Sequence, residues 1–314
     1  MRRVLGPLLI LTVLIPALLA AAPKQKPGPG KKTPAPRSNP DAFKTPLQSM
    51  VAAEQAFARL AAERGIRASF LANLSEDCVV FRRLPVNGLE SYRSRPATSA
   101  RLKWGPTYGE IAASGDFGVT SGPWEYTPPP DQPNAEASYG TFLSVWRRDP
   151  GKEWKVVLDC GVSHPKPDLA PGSTPFVAGP EHAAVGDSVT PLGTGTLRTF
   201  DGSLSRMVSN LNPPRAVVFW TTNDLRFLRD GDPPRLGDDA RNAMSATPPR
   251  PAWRPIEAGI ARSGDLGFTY GVREDSSEVA GQAPDSTVYV HIWRRQAGNQ
   301  WKVCAVVDNP LHRP

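Results

Sequence analysis

One stretch of this chain occurs twice, and the repeat constrains the fold more than any other feature. Residues 104–120 return as residues 253–269, at a spacing of 149 positions. The Trp-Arg-Arg motif within residues 145–148 returns within 292–295, at a spacing of 147. Because the spacing changes by only two residues, we expect one loop to be shorter in the second copy and the two copies to share the same architecture otherwise. Solenoid repeats are roughly 20–50 residues long, so this period predicts two complete domains.

Changes in composition along the chain indicate the domain boundaries. We expect a disordered, Pro- and Lys-rich linker at residues 23–44, because it has too few apolar side chains to fold. The first domain (repeat one) then occupies residues 45–165, and the second (repeat two) occupies residues 176–314. A Pro-rich linker at residues 166–175 separates them.

The N-terminal segment is typical of a secretory signal peptide. A short basic start precedes residues 4–22, which are mostly apolar and uncharged. Small residues near positions 20–23 suit cleavage, which predicts a periplasmic or secreted protein with no stable membrane anchor. The alternative is an uncleaved membrane helix, because this run approaches the ~20 residues that span a bilayer. Pro7 and Pro16 interrupt a regular helix and favour the signal peptide.

The basic character of the chain lies outside the predicted domains. The whole chain has a formal net charge of +7, and residues 1–44 carry all of it. Residues 45–314 contain 29 basic and 29 acidic side chains. Since a basic patch on a folded face is the usual sign of nucleic-acid binding, we expect no nucleic-acid partner.

Both repeats begin with a helical pattern and continue with strands. Apolar side chains recur at helical spacing at Leu47, Met50, Val51, Phe57, Ala58 and Ala61, and again at Leu197, Phe200, Leu204, Met207, Val208 and Leu211. Glu54 is the one polar residue within the first stripe. Short β-branched and aromatic segments follow, with a turn predicted at Asn87-Gly88. This order predicts α+β domains, with helices packed on one face of a curved antiparallel sheet.

Several motifs, in this order of elements, resemble a known family. The motifs are Val86-Asn87-Gly88, Trp104-Gly105-Pro106, residues 114–125 and Val145-Trp146-Arg147-Arg148. They resemble the SnoaL-like branch of the nuclear transport factor 2-like superfamily, here as a tandem repeat, and within it the exported bacterial domains of unassigned function. The resemblance is strong over residues 78–160 and clear over 225–307.

That resemblance implies two cone-shaped α+β barrels of the cystatin-like, nuclear transport factor 2-like type. Each cone would open on an apolar pocket. Relatives include ketosteroid isomerase, polyketide cyclases and limonene epoxide hydrolase, beside many members with no activity. Because one fold hosts many functions, the likeness by itself transfers none of them.

The inventory of reactive side chains excludes several kinds of site. His164, His182, His291 and His312 are scattered, with no metal-ligand spacing to Cys, Asp or Glu, so we expect no metal site. The chain has no Gly-rich dinucleotide motif, no phosphate-binding loop and no Gly-x-Ser-x-Gly elbow. We therefore expect no cofactor.

The cysteines leave two alternatives open, and the recurring aspartates are interpreted separately, as turn residues. In an exported chain Cys78 and Cys160 could form a disulfide, or both could be buried as small apolar side chains. Asp116 and Asp265 each follow Ser-Gly between two strands. Because Asp satisfies backbone groups in turns, we interpret both as structural.

Strand alternation indicates the best candidate site. Tyr289, His291 and Trp293 lie on one strand face of repeat two, and Ser144 and Trp146 lie on the matching face of repeat one. If this face is concave, it lines a pocket in which His291 is a possible proton acceptor. If it is convex, it is a solvent-exposed or domain-packing face.

Two acidic residues complete the set of candidate ligand-binding residues. Asp159 and Asp308 close the final strands of the two repeats and could reach the mouth of each cone. Repeat two has the more reactive face, so we expect any pH-dependent recognition at His291 rather than at Ser144. No residue can be matched to the catalytic base of the enzyme relatives.

Two functions from different classes fit these observations. The first is an exported binding module that holds a small apolar molecule in a cone-shaped pocket without catalysis. The alternative is an isomerase-, cyclase- or hydrolase-like enzyme with one active repeat. The missing acid–base pair favours the binding module. Since relatives often pair through their sheets, the tandem would be an intramolecular pseudo-dimer or a monomer.

Overall fold

A computed structural model of the chain describes most of the predicted domains. The described residues are 45–132, 134–168, 173–182, 193–210, 213–246, 252–274 and 286–311. The predicted signal peptide, the linker at 23–44 and part of the linker at 166–175 lie outside them. Within these ranges, none of the helices combines the length and apolar character needed to cross a membrane.

The described part of repeat one and the segment after it contain three helices and eight strands. The helices are α1 (Pro46–Arg64), α2 (Ile66–Asn73) and α3 (Gly88–Arg93). The strands are β1 (Leu74–Phe81), β2 (Pro85–Asn87), β3 (Arg101–Trp104), β4 (Tyr108–Ile111), β5 (Phe117–Thr127), β6 (Ser138–Arg147), β7 (Lys155–His164) and β8 (Val177–Ala178).

The described part of repeat two follows the same order of elements. Its helices are α4 (Thr194–Asn210), α5 (Pro213–Trp220) and α6 (Gly237–Ser245). Its strands are β9 (Thr221–Arg229), β10 (Arg235–Leu236), β11 (Ala252–Ile260), β12 (Leu266–Glu274), β13 (Ser286–Arg295) and β14 (Trp301–Pro310). The predicted first helix of each repeat is confirmed as α1 and α4; Leu211 lies outside the described residues.

Each repeat supplies the main strands of one sheet, and these strands follow equivalent orders in the two sheets. Sheet one runs β2-β1-β7-β6-β5-β4-β8, with β3 also paired to β5. Sheet two runs β10-β9-β14-β13-β12-β11. The predicted α+β class with two tandem domains is therefore confirmed. The segment after the predicted linker contributes β8 to sheet one, and the domain boundaries themselves stay predictions.

The sheets are mixed, which corrects the expected all-antiparallel arrangement. In sheet one β1 pairs in parallel with β7, and in sheet two β9 pairs in parallel with β14. Hairpins force neighbouring strands to run antiparallel, but these partners are separated by most of a domain. Their relative direction is therefore free, and the first strand lies alongside the last.

Local sequence signals account for where α1 begins and ends. Thr45 caps its N-terminus: the Thr45 hydroxyl accepts from the Gln48 amide, and the Gln48 side chain accepts from the Thr45 amide. This reciprocal pair satisfies donors that the first helical turn leaves free. At the other end Gly65 has a φ of +83°, which favours glycine and separates α1 from α2.

The predicted turn at Asn87-Gly88 is instead the start of helix α3. The Asn87 side chain accepts a hydrogen bond from the Glu90 amide at 3.0 Å, so Asn87 is the N-cap. Asn is preferred at both turns and N-caps because its side chain satisfies nearby backbone amides. The dipeptide alone does not distinguish these two uses.

The two sheets pack against each other through one shared core. The faces that carry Leu143 and Val145 in β6, and Val290 and Ile292 in β13, contribute to a single buried cluster. The rings of Phe117 and Phe268 stack across it, with centroids 6.3 Å apart. The opposite strand faces of both sheets lie under the helices, in two separate clusters. We call the contact between the sheets the seam.

The two Ser-Gly-Asp segments are turns, as predicted, and they also meet at the seam. The hydroxyl oxygens of Ser114 and Ser263 lie 2.8 Å apart. Asp265 accepts a hydrogen bond from the Ala113 amide of the other repeat at 2.8 Å. The equivalent residues therefore stabilise their own turns and join the domains.

A buried charged cluster crosses the seam beside these turns. Arg294 of β13 donates two hydrogen bonds to Glu110 of β4, at 2.6 and 2.7 Å. The imidazole of His182 lies between two carboxylates, 2.7 Å from Glu110 and 2.7 Å from Asp265. Burial lowers the pKa of His182, but the hydrogen bonds to Asp265 and Glu110 outweigh it and raise the value to about 9. At neutral pH His182 is therefore a cation between two carboxylates.

Candidate ligand-binding cavity

Repeat one holds a cavity of about 300 Å³ between its helices and the inner face of sheet one. Its walls come from α1, α2, α3 and strands β1, β3, β5, β6 and β7. Its lining residues include Phe57, Tyr92, Trp104, Phe142, Ser144 and Asp159. Half of the wall residues are aromatic and few are polar, which is the usual composition of a small-molecule site, and this volume is at the lower end of such sites.

The cavity has a closed floor and an open mouth. Phe57, Phe70 and Val80 are almost fully buried and form the floor. Arg82 and Ser138 also line the cavity but are exposed, so the mouth lies beside them. A ligand would therefore enter between two polar side chains and contact aromatic rings deeper inside.

The main polar group inside the cavity is the carboxyl of Asp159. Ser144 on the neighbouring strand β6 donates a hydrogen bond to it at 2.8 Å. Burial raises the pKa of Asp159 to about 7; the Ser144 hydrogen bond lowers it, and the nearby Glu54 raises it further. At neutral pH the carboxyl is thus partly protonated, so it can both donate and accept a hydrogen bond.

Tyr92 and Arg82 form the side of the cavity next to the mouth. The Arg82 guanidinium carbon lies 4.7 Å above the centre of the Tyr92 ring. Burial raises the pKa of Tyr92 to about 12, against the opposing effect of Arg82. The phenol is therefore neutral near pH 7, and Arg82 places a positive charge at the rim.

Glu54 is the buried residue that ties helix α1 to this inner face. Its carboxylate accepts hydrogen bonds from Trp104 at 2.6 Å, Thr120 at 2.6 Å and Trp146 at 2.9 Å. Burial raises the pKa of Glu54, and these donors oppose the change. Trp146 is thus placed under the helices as a structural donor. Sequence reasoning missed the role of Glu54, although its polarity within an apolar stripe was the available signal.

Repeat two has a related carboxylate in the same place. Asp201 of α4 is 147 residues after Glu54, the same spacing as between the Trp-Arg-Arg motifs. Tyr289 donates to Asp201 at 2.8 Å, and the Nδ1 atom of His291 lies 2.9 Å from it. Burial, with the charge of Asp201, raises the pKa of Tyr289. All three side chains have no exposed surface.

The structure therefore separates the predicted site residues into two groups. Ser144 and Asp159 line the cavity of repeat one. Tyr289 and His291 lie on the matching inner face of repeat two but are sealed in its core. In both repeats the inner face of the sheet is the one covered by helices. The cavity at this face lies in repeat one.

The remaining predicted residues of repeat two serve packing and charge pairing. Trp293 is fully buried and donates to the Thr269 hydroxyl at 2.8 Å. Asp308 is buried and paired with Arg273 and Arg229. The guanidinium groups hold the pKa of Asp308 below its usual range, against its burial. Asp308 is therefore a neutralised carboxylate, unlike Asp159.

The cysteines are free thiols in the structure. Cys78, Cys160 and Cys304 are all buried, and burial raises the pKa of each thiol. This matches the alternative in which they pack as small apolar side chains. Cys160 also forms part of the cavity wall. Among the described residues, no group of three His, Cys, Asp or Glu side chains is placed to hold a metal ion.

Similar folds occur among solved structures. A ketosteroid isomerase-like protein from Erwinia carotovora atroseptica is 14% identical; the match covers 37% of this chain and 96% of that chain, with a TM-score of 0.31. A nuclear transport factor 2-like superfamily protein from Salmonella enterica serovar Typhimurium is 14% identical, covers 40% and 94%, and has a TM-score of 0.32.

A third match is a protein of unknown function with a cystatin-like fold from Nostoc punctiforme. It is 12% identical, covers 37% of this chain and 90% of that chain, and has a TM-score of 0.30. No protein-family model matches the chain, and no curated protein matches it. Likenesses at this level say nothing about a ligand or an activity.

Proposed function

We propose that this protein is an exported, non-catalytic binding protein that holds a small apolar molecule in the cavity of repeat one. The motifs that resemble the SnoaL-like branch support a cone with such a cavity. The single observation that carries the proposal is the aromatic cavity with a partly protonated Asp159 on its wall. The sealed inner face of repeat two would then be a structural counterpart that supports the tandem.

The chemistry of the cavity defines the molecule that it suits. Phe57, Trp104 and Phe142 offer apolar contact on several sides. Neutral Asp159 can donate one hydrogen bond to a carbonyl or hydroxyl oxygen of the ligand, while Ser144 holds its other oxygen. A compact apolar molecule with one oxygen at its inner end satisfies both features.

Native mass spectrometry of the full chain, purified from its own cells, tests this function. We expect an additional bound organic mass that solvent extraction removes. Phe142→Trp, which fills the cavity, should lose that mass. Val218→Trp is the matched control, because Val218 is 55% exposed on α5 and lies outside the cavity lining. A bound mass that survives Phe142→Trp unchanged would place the ligand elsewhere and contradict the proposal.

Export is a separate part of the proposal and has its own test. Intact mass of the protein recovered outside the cytoplasm should lack about the first 20–23 residues, as expected for signal cleavage. Recovery of the uncleaved chain from the membrane fraction would support the membrane-anchor alternative instead.

A second candidate function is acid–base catalysis in the same cavity. It is favoured by one observation, that Asp159 and Tyr92 line the same cavity and that the pKa of Asp159 is raised to about 7. A general base with a pKa near the working pH is the most effective one. A test is isomerisation of 3-cyclohexenone to its conjugated isomer, followed by ultraviolet absorbance. Turnover that Asp159→Asn abolishes and Ser144→Ala only reduces would favour this enzyme function over simple binding.

A further inference from the structure

A second cavity lies where the two repeats meet, separate from the one described above. It has a volume of about 370 Å³ and is lined by β4, β5, β6 and the end of β7 in sheet one, by β9 and β10 of sheet two, and by Pro167, Asp168 and Thr174 after β7. Its lining residues include Tyr108, Thr141, His164, Arg226, Leu228 and Leu236. Because both repeats contribute walls, the site exists only in the tandem chain.

Arg226 is the charged group of this cavity. Its guanidinium carbon lies 3.5 Å above the centre of the Tyr108 ring, so the ring holds the planar group in one orientation. A guanidinium that stacks on a ring still has its N–H edge free for hydrogen bonds in the plane. Among the described residues, no carboxylate lies within 4 Å of Arg226, in contrast to Arg294, which is paired with Glu110 and Asp224.

The acidic residue of the cavity does not neutralise Arg226. Asp168 also lines the cavity, but its side chain is exposed and forms no described ion pair with Arg226. Carboxylates in water interact weakly with charges beyond contact distance, because water screens them. The inner part of the cavity therefore keeps an unneutralised positive charge.

The other walls combine apolar surface with polar groups, several of which are already hydrogen-bonded within the protein. Leu228 is 3% exposed and forms part of the inner wall, whereas Leu236 is 53% exposed and lies at the edge. The Thr141 hydroxyl is already engaged with the Nε2 atom of His164 at 3.0 Å. Arg226 is thus the strongest hydrogen-bonding group left for a ligand in an otherwise mostly apolar space.

We propose that this seam cavity binds a small organic carboxylate, with the carboxylate on the N–H edge of Arg226 and the apolar body against Leu228 and Leu236. A planar carboxylate can accept two parallel hydrogen bonds from one guanidinium, which is the strongest neutralising geometry for arginine. The apolar walls favour a carboxylate with a hydrocarbon or aromatic body over inorganic anions. Because both repeats line the site, its occupant also stabilises the seam.

Calorimetric titration of the full chain with benzoate tests this site. Benzyl alcohol has a similar shape without the charge, and inorganic phosphate has the charge without the apolar body. We expect measurable benzoate binding below about 10 mM, a range accessible to titration, and at least about tenfold weaker binding of both comparison compounds. Benzoate should also raise the thermal unfolding temperature, and the increase should continue roughly with the logarithm of benzoate concentration above the Kd.

Three variants locate the binding. Arg226→Gln keeps the length of the side chain and should weaken benzoate binding at least about tenfold. Leu236→Trp should weaken benzoate binding similarly by filling the edge of the cavity. Because this variant keeps Arg226, it still tests the site if Arg226→Gln does not fold. Arg82→Gln is the matched control, because Arg82 lines the cavity of repeat one, and it should leave benzoate binding unchanged.

Two results would overturn the proposal. One is the absence of benzoate binding by the folded parent protein at about 10 mM. The other is binding that persists in both Arg226→Gln and Leu236→Trp, or that Arg82→Gln removes. The latter result would assign benzoate to the cavity of repeat one, whose own ligand is tested separately by the Phe142→Trp variant.

Discussion

The carboxyl of Asp159 should make this protein less stable as pH rises, which is the opposite of the usual effect of a carboxyl group. Its ordinary pKa is 3.8, and burial raises the pKa to about 7 in the folded chain. Between these values the folded protein binds more protons than the unfolded chain. The favourable contribution of the protonated carboxyl is therefore complete below about pH 4 and is lost as pH rises through about 7.

The size of this effect follows from the difference between the two pKa values. Each unit corresponds to about 1.4 kcal/mol, and about three units give an upper value of about 4 kcal/mol at pH 8. Contact with water at the cavity wall reduces that value, so we expect about 2–4 kcal/mol. Asp159→Asn keeps the shape and the hydrogen bond from Ser144 and removes the charge, so it should be more stable than the parent at pH 8 by that amount.

Urea denaturation followed by circular dichroism, at pH 5 and pH 8, measures the difference. The gain of Asp159→Asn should be large at pH 8 and fall to less than half of that value at pH 5, with an unchanged slope against urea. Asp77→Asn is the control, since the pKa of exposed Asp77 is lowered by Arg147 despite its partial burial. Its effect should have the opposite sign: Asp77→Asn should lose stability to nearly the same extent at pH 5 and pH 8, and that loss should disappear only as pH falls below the ordinary pKa of 3.8. Equal stability of Asp159→Asn and the parent at pH 8 would refute the reasoning.

Further substitutions test the seam, the inner face and one close backbone approach. His182→Gln should lower the free energy of unfolding by about 3 kcal/mol at pH 6, because the pKa of His182 is about 9 in the folded protein instead of the ordinary 6.5. In the same urea assay this loss should disappear as pH rises through about 9. Glu54→Ala removes the acceptor of the Trp104, Thr120 and Trp146 donors, of which the Trp146 N–H keeps a second acceptor in the Thr120 hydroxyl at 3.1 Å. It should cost about 3–5 kcal/mol in thermal or urea unfolding, and Glu54→Gln less; equal costs would contradict the hydrogen-bond account. Gly122→Ala places a Cβ 2.1 Å from the Gly105 carbonyl oxygen and should lower the free energy of unfolding by about 1–3 kcal/mol. Gly195→Ala is the control: its Cβ meets no atom within 4 Å, so it should raise the melting temperature slightly. Unchanged stability of Gly122→Ala would show that the backbone moves to make room.

Regular local patterns made much of the fold predictable from the sequence. The helical spacing around Met50 and Phe57 marks α1, and the same spacing around Leu204 marks α4. The Ser-Gly-Asp turns at Asp116 and Asp265 require only a tight turn with a glycine at positive φ, which neighbouring residues dictate. Asn87 shows the limit of such signals, because a turn and a helix N-cap use the same side-chain chemistry.

The candidate site was only partly predictable for a physical reason. Alternation in β6 and β13 correctly grouped Ser144 with Trp146 and Tyr289 with His291 on matching faces. It could not show that Asp201, from a helix 88 residues before Tyr289, closes the space in repeat two. Whether a face is a cavity or a filled core depends on side chains that arrive from distant elements.

The repeat, its two spacings, the first helices and the α+β order of elements were determined by the sequence alone, because short-range spacing encodes them. Tertiary structure alone decided the parallel pairing of first and last strands, the seam with its Glu110–Arg294 pair, and the burial that raises the pKa of Asp159 to about 7. Those features depend on residues up to 184 positions apart. Desolvation and charge pairing act through space, so the order of residues along the chain does not reveal them.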